Sequence, residues 1–111
     1  MSQHFYYFSE LPKLAGPNQL FDVRFISTAN ITVAFNTLKA GAAVPRHEHL
    51  HETIDYVEEG QLEVEINGQT RLMLAGMVAR IPSHVPHSAR AITDCKVINI
   101  FYPVREDFSK M

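Results

Sequence analysis

The sequence predicts an all-β protein, and three observations carry that prediction. Apolar and polar residues alternate with a period of two along much of the chain, and Gly, Pro and Asn punctuate it at short, regular intervals. No stretch shows the 3.6-residue periodicity of a helix of useful length. Strands spaced in this way imply a sandwich or barrel.

Residues 1–20 contain the aromatic run HFYYF and read as an N-terminal arm or strand that covers the barrel or a partner subunit. Within them SELPKLAG (9–16) is long enough for one helical turn. NITVAFNTLKAG (30–41) sets Ile31, Val33 and Phe35 against Thr32, Ala34 and Asn36, a half-buried strand pattern. In QLEVEINGQTRLML (61–74), Leu62, Val64 and Ile66 alternate with Glu63 and Glu65. Asn67-Gly68 then supplies a two-residue hairpin turn, whose positive φ angles these residues tolerate best. GMVARIPSHVPHSARAI (76–92) carries two prolines, so it reads as short strands broken by a loop. CKVINIFYPV (95–104) is a further strand ended by Pro103, with Val97, Asn99 and Phe101 on one face and Ile98, Ile100 and Tyr102 on the other. A strand apolar on both faces is buried on both. One face looks into the barrel; the other needs the N-terminal segment or a second subunit, so a homodimer is expected. REDFSKM (105–111) reads as a frayed end.

The bulk numbers narrow the function. A chain of 111 residues forms one domain, and 46% hydrophobic content is that of a globular protein rather than a disordered one. A net charge of −2 with scattered Lys and Arg argues against nucleic acid as a partner. No apolar run approaches the roughly 20 residues of a membrane span. A lone cysteine, Cys95, excludes an internal disulfide, and MSQHFYYFSE lacks the basic start and apolar core of a signal peptide. A cytoplasmic protein with a small-molecule partner is the expectation.

Five of the six histidines fall between positions 47 and 87. Residues i and i+2 of a strand share a face, so His47 and His49 point together and their imidazoles can converge on one ion with a histidine from across the hairpin. If the strand ran on unbroken, His51, Thr53 and Asp55 would share that face. Asp55 would then stand where an apolar side chain is expected. A carboxylate buried there costs several kcal/mol unless paired or functional, which makes Asp55 a functional candidate.

The spacing resembles the cupin family. Gly41, five residues, His47-Glu48-His49, Thr53 and Gly60 follow its first motif across residues 41–60. Gly76, five residues, Pro82 and His87 follow its second across 76–91. The resemblance implies a double-stranded β-helix, a jelly-roll barrel of six to eight strands with a metal in its mouth. His47, His49 and His87 would be the ligands of a divalent transition metal: Zn, Fe, Mn, Ni or Co. Thr53 stands where the family carries a carboxylate or amide ligand. The fourth position would fall to His51, to Glu52 after a bulge, to the Thr53 hydroxyl or to water. His84 occupies a turn position that usually holds glycine, and it reads as a positive-φ turn residue rather than a ligand.

The tail NIFYPVREDF (99–108) is similar to that of the small cupins that linearise unsaturated monouronates in pectin and alginate breakdown. This likeness implies that Phe101 walls a sugar pocket and that Arg105 pairs with a substrate carboxylate through its guanidinium fork. The alternative for Arg105 is a salt bridge with Glu106 or Asp107. Asn99 replaces the acid of that pattern, and Asp55 is the candidate to supply the displaced carboxylate. Thr53, His51, Asn99 and Phe101 are the expected substrate-binding residues, and Asp55 and Arg105 the catalytic ones. Two other readings stand beside this enzyme: a metal- or ligand-binding module without catalysis, favoured by Asn99 and Thr53, and a small non-haem iron dioxygenase.

Overall fold

The computed structural model describes residues 3–109, so the first two residues of the expected arm and the last two of REDFSKM lie outside it. A short 3-10 turn at Phe8–Glu10 opens the fold, inside the stretch expected to form one turn. Ten strands follow: β1 (Lys13–Leu14), β2 (Phe21–Ser27), β3 (Thr32–Leu38), β4 (Ala43–His47), β5 (Glu52–Glu59), β6 (Gln61–Ile66), β7 (Gln69–Leu74), β8 (Val78–Ile81), β9 (His87–Ala91) and β10 (Cys95–Tyr102). The helical turn α1 (Glu106–Ser109) ends the described chain. No helix among the described residues is long and apolar enough to cross a membrane.

The strands form two antiparallel sheets, in the orders β1-β2-β3-β10-β5-β8 and β4-β9-β6-β7. Ten strands exceed the six to eight that the resemblance implied. The surplus includes two-residue β1 and β2, which extend the larger sheet beyond β3. Local chemistry fixes the turns. Asn67 and Gly68 adopt φ of 51° and 86° between β6 and β7, and His84 adopts φ 62° in the loop before β9, as expected. Gly60 between β5 and β6 has φ 88°, and a Cβ there would lie 2.1 Å from the Asp94 carbonyl oxygen, so no other residue fits.

The inward faces of the two sheets build one apolar core. Val57 from β5, fully buried, packs with Leu62, Val64, Met73, Ala91 and Val97. A second, smaller cluster is formed by Val23, Phe25, Ala34 and Phe101. The inward face of β3 proves to be its less apolar one, Thr32, Ala34, Asn36 and Leu38, while Val33 and Phe35 lie half-buried outside. Long-range partners explain this. The Thr32 hydroxyl accepts the Arg105 backbone N–H at 2.9 Å, and small Ala34 joins the packing of Phe25 and Phe101.

β10 turns Val97, Asn99 and Phe101 inward, and its outer face is not fully covered by the described residues. The arm reaches that surface through Phe8, edge-on to Phe35 at 5.5 Å, yet Ile100 and Tyr102 stay 40% and 54% exposed.

Candidate metal centre and pocket

The strand carrying the HxH pair does not run on. β4 ends at His47 in the smaller sheet, residues 48–51 form a loop, and β5 begins at Glu52 in the larger sheet. The unbroken strand that would put His47, His49, His51, Thr53 and Asp55 on one face is therefore not formed. The loop is held from the second motif: the His84 N–H donates to the His49 carbonyl at 2.8 Å and the Ser83 hydroxyl to the Leu50 carbonyl at 2.5 Å. These contacts bend the chain so that His49 turns back toward the smaller sheet.

His47 and His87 are direct cross-strand partners on β4 and β9. Their rings lie 4.3 Å apart, and His49 lies 5.3 Å from His47 and 4.9 Å from His87. One nitrogen from each of the three falls within 4.8 Å of the others. Nδ1 of His47 contacts the Pro45 carbonyl at 2.8 Å, Nδ1 of His49 the His51 carbonyl at 2.9 Å and Nδ1 of His87 the Val85 carbonyl at 2.8 Å. A carbonyl only accepts, so each Nδ1 carries the hydrogen, and in the neutral ring that tautomer leaves the Nε2 lone pair as the donor to a metal. Burial draws the His49 pKa down to about 4, against the pull of its bond to the His51 carbonyl, and the charges of His87, Arg105 and His47 act in the same direction as burial. Three imidazoles locked in one tautomer, His49 firmly neutral among them, are a donor set that fits a divalent transition metal.

The remaining candidates sort themselves around this triad. A cavity of about 170 Å³ opens beside it, its wall including Thr53, Asp55, Asn99, Phe101 and Arg105. A cavity of that size has room for one small molecule. His51 is not part of the cluster: its ring stands 5.6 Å from His49 and 6.4 Å from Phe101, and its carbonyl orients His49. Burial and the Arg105 charge both lower its pKa. Glu52 is exposed on the outer face, and exposed His84 faces Glu48 at 3.8 Å, so neither lies with the triad. Thr53 is 4% exposed and its Oγ1 has no partner among the described residues. A buried unpaired hydroxyl costs about 1–3 kcal/mol, so its placement on the cavity wall suits a ligand or water.

Asp55 does face the cavity although the strand breaks, because β5 sets its own parity from Thr53 onward. Its carboxyl is enclosed by protein even though the cavity leaves the residue partly accessible. Burial pushes its pKa up to about 6, while the hydrogen bond from Asn99 and the His47 charge pull downward. Asn99 is its cross-strand partner and donates Nδ2 to Asp55 Oδ1 at 2.6 Å. Arg105 reaches the same wall with its guanidinium against Phe101 at 4.7 Å and Phe108 at 4.2 Å. Asp107 holds it by a fork, Nε at 3.0 Å and Nη2 at 2.7 Å, which also keeps the Asp107 carboxyl below the usual carboxylate range. Arg105 thus lines the cavity while its guanidinium is paired with Asp107, the salt bridge named as its alternative. Asn36 and Ser88 are polar wall residues that the sequence reading did not assign to the site. Asn36 lines the cavity and donates Nδ2 to Asn99 Oδ1 at 2.6 Å. The available signal was a polar residue sharing parity with Thr32 and Ala34.

Comparison with known proteins agrees with this geometry. Residues 34–101 match the model of the cupin domain. The fold is similar to KdgF from Halomonas sp., with 28% identity, TM-score 0.85 and coverage of 96% of this chain and 98% of that one. It is also similar to an RmlC-like cupin from Shewanella frigidimarina, with 27% identity, TM-score 0.87 and 96% of each chain covered. An oxalate decarboxylase from B. subtilis shares the fold at 21% identity and TM-score 0.76, over 88% of this chain and 29% of that one. No curated protein matches the sequence.

Proposed function

Because the chain belongs to the cupin family, we propose that it is a metal-dependent enzyme acting on a small carboxylated molecule of the sugar-acid class, of the unsaturated-uronate linearising type. The observation that carries this reading is convergence: the triad, the Asp55 carboxyl and the Arg105 guanidinium all border one small cavity. The likeness to KdgF over nearly the whole of both chains supports it.

A divalent metal on His47, His49 and His87 would supply Lewis-acid polarisation of a substrate oxygen. Arg105, clamped by Asp107 and two aromatic rings, orients the substrate carboxylate. Phe101 walls the ring, and the Thr53 hydroxyl takes a substrate polar atom. Asp55 moves the proton. Linearisation takes the proton from the ring hemiacetal hydroxyl, breaks the ring C–O bond and places a proton on the far carbon of the double bond, so no atoms are gained or lost. A carboxyl near pH 6 gives and takes protons at neutral pH.

The test is turnover of unsaturated galacturonate by the metal-reconstituted protein, followed as loss of absorbance of the conjugated double bond. Wild type turns over, and Asp55→Asn loses roughly 100- to 10,000-fold in kcat. No turnover with any reconstituted metal overturns the reading in favour of a binding module, which Asn99 and Thr53 in place of the family's acid and amide favour.

The uncovered outer face of β10 and β5, with Ile54, Tyr56, Ile100 and Tyr102, supports a homodimer closed through that face. Sedimentation is expected at about twice the 12.6 kDa chain mass, and Ile100→Glu is expected to return it to one. A wild type sedimenting as a single chain removes the dimer.

A further inference from the structure

Three side chains on three adjacent strands form a polar relay that ends on Asp55: Asn36 on β3, Asn99 on β10 and Asp55 on β5. Its polarity follows from a backbone group. The Asn36 side chain lies 3.1 Å from the Val97 carbonyl oxygen, which can only accept, so the Asn36 amide must present its NH2 there. The same NH2 faces Asn99 at 2.6 Å, so Asn99 must answer with its oxygen. That leaves the Asn99 NH2 toward Asp55 Oδ1 at 2.6 Å. Asp55 Oδ1 is thereby an obligate acceptor, and any proton Asp55 holds sits on Oδ2, which has no hydrogen-bond partner among the described residues.

We propose that Asn36 is a positioning residue for the proton-transfer step: through Asn99 it fixes which Asp55 oxygen carries the transferable proton and holds that oxygen free toward the cavity. The inference rests on the reading of Asp55 as the proton carrier. Without Asn36 the Asn99 amide is free to turn over. Its oxygen then faces Oδ1, the proton is drawn into the Asp55–Asn99 contact, and less of it is presented to the substrate. Asn36→Leu removes the anchor at similar size. Asn36→Asp, an acceptor only, takes its hydrogen bond from the Asn99 NH2 and so turns that amide over.

Two measurements on the zinc-loaded, full-length protein decide the matter. The first reads hydrogen exchange of the Asn99 side-chain NH2 by nitrogen–proton correlation spectroscopy, with the backbone amides of β10 as the internal control. Wild type is expected to protect that NH2. Asn36→Leu is expected to speed its exchange by about tenfold or more while the β10 backbone stays protected. The second is kcat and KM on unsaturated galacturonate: both Asn36 variants should lose about tenfold or more in kcat with KM within about twofold. An unprotected Asn99 NH2 in wild type overturns the relay outright, whatever the activity. An inactive Asp55→Asn alongside Asn36→Leu at full kcat overturns the role of Asn36 alone. An Asp55→Asn at full kcat overturns instead the assignment of Asp55, and with it the function of the relay. If Asn36→Asp fails to fold, Asn36→Leu carries the same expectations.

Discussion

The two ends of the barrel interior are built by the same strands and differ only in what their inward residues are. β5 and β10 pair Val57 with Val97, then Asp55 with Asn99, then Thr53 with Phe101. The Val57 rung joins Leu62, Val64 and Met73 in the apolar core. The next two rungs line the cavity beside the histidine triad, where Val97 and Leu62 of the core also reach its wall. A step of two residues along each strand, about 7 Å, thus takes the barrel from a region that stabilises the fold to one that costs stability. The apolar end contributes roughly 25 cal/mol per Å² of buried apolar surface. The other end holds an enclosed carboxyl, an unpaired hydroxyl and three imidazoles with free lone pairs. Such groups persist together where a ligand answers them.

Breaking the cavity end at its histidine triad is expected to have the largest effect. His87→Ala removes the buried member of the triad and should weaken divalent metal binding by more than about 100-fold, beyond the loss typical of residues that merely support a ligand. Calorimetric titration with zinc checks this. The same variant should lose the metal-induced rise in melting temperature that wild type shows at saturating zinc. Metal-dependent stabilisation unchanged in His87→Ala would remove His87 from the ligand set.

Damage at the apolar end should separate cleanly from that result. Met73 is 3% exposed and lies in the core cluster, not on the cavity wall. Met73→Ala should cost about 2–5 kcal/mol of unfolding free energy by denaturant titration. Zinc affinity of the folded fraction should stay unchanged. A Met73→Ala protein that lost zinc affinity in proportion to its stability would show that the two ends are one cooperative site.

How much of this contrast the sequence displayed depends on the range of the contacts involved. The Asn67-Gly68 turn and the positive φ of His84 were legible, because the constraint lies in one residue's own backbone. The pairing of His47 and His49 with His87 was legible from motif spacing. The break after His47 was not: it is made by hydrogen bonds from Ser83 and His84, some 33–35 residues away, which no local periodicity displays. The inward face of β3 was hidden for the same reason, since Thr32 and Asn36 answer Arg105 and Asn99 from the far end of the chain. Asp55 was legible by an inference whose premise failed. The expected face began at His47, but β5 sets its own register and arrives at the same inward residue.

The smallest of these effects reads the electrostatic difference between the two ends directly, in metal-free protein. Asp55 rises from 3.8 to about 6 because burial disfavours its charged form. Between pH 4 and 6 the folded chain therefore holds a proton that the unfolded chain has released. Stability attributable to Asp55 falls as pH rises through that window, by roughly 3 kcal/mol in total, and is flat above it. His49 acts with the opposite sign. With its pKa lowered from 6.5 to about 4, the folded chain binds less proton than the unfolded one, so its contribution rises with pH across much of the same range. Wild type should accordingly show a shallow pH dependence there, the two groups offsetting each other. Asp55→Asn keeps His49 and drops the acid, so its unfolding free energy should climb relative to wild type from about pH 4 to about pH 6 and then run parallel. Denaturant titrations of both proteins at half-unit pH steps, with chelator present, measure that divergence. Curves parallel across the whole window would mean that the Asp55 carboxyl is not held out of water, and that the polar end of the barrel is wetter than its enclosure by β3, β10 and β5 implies.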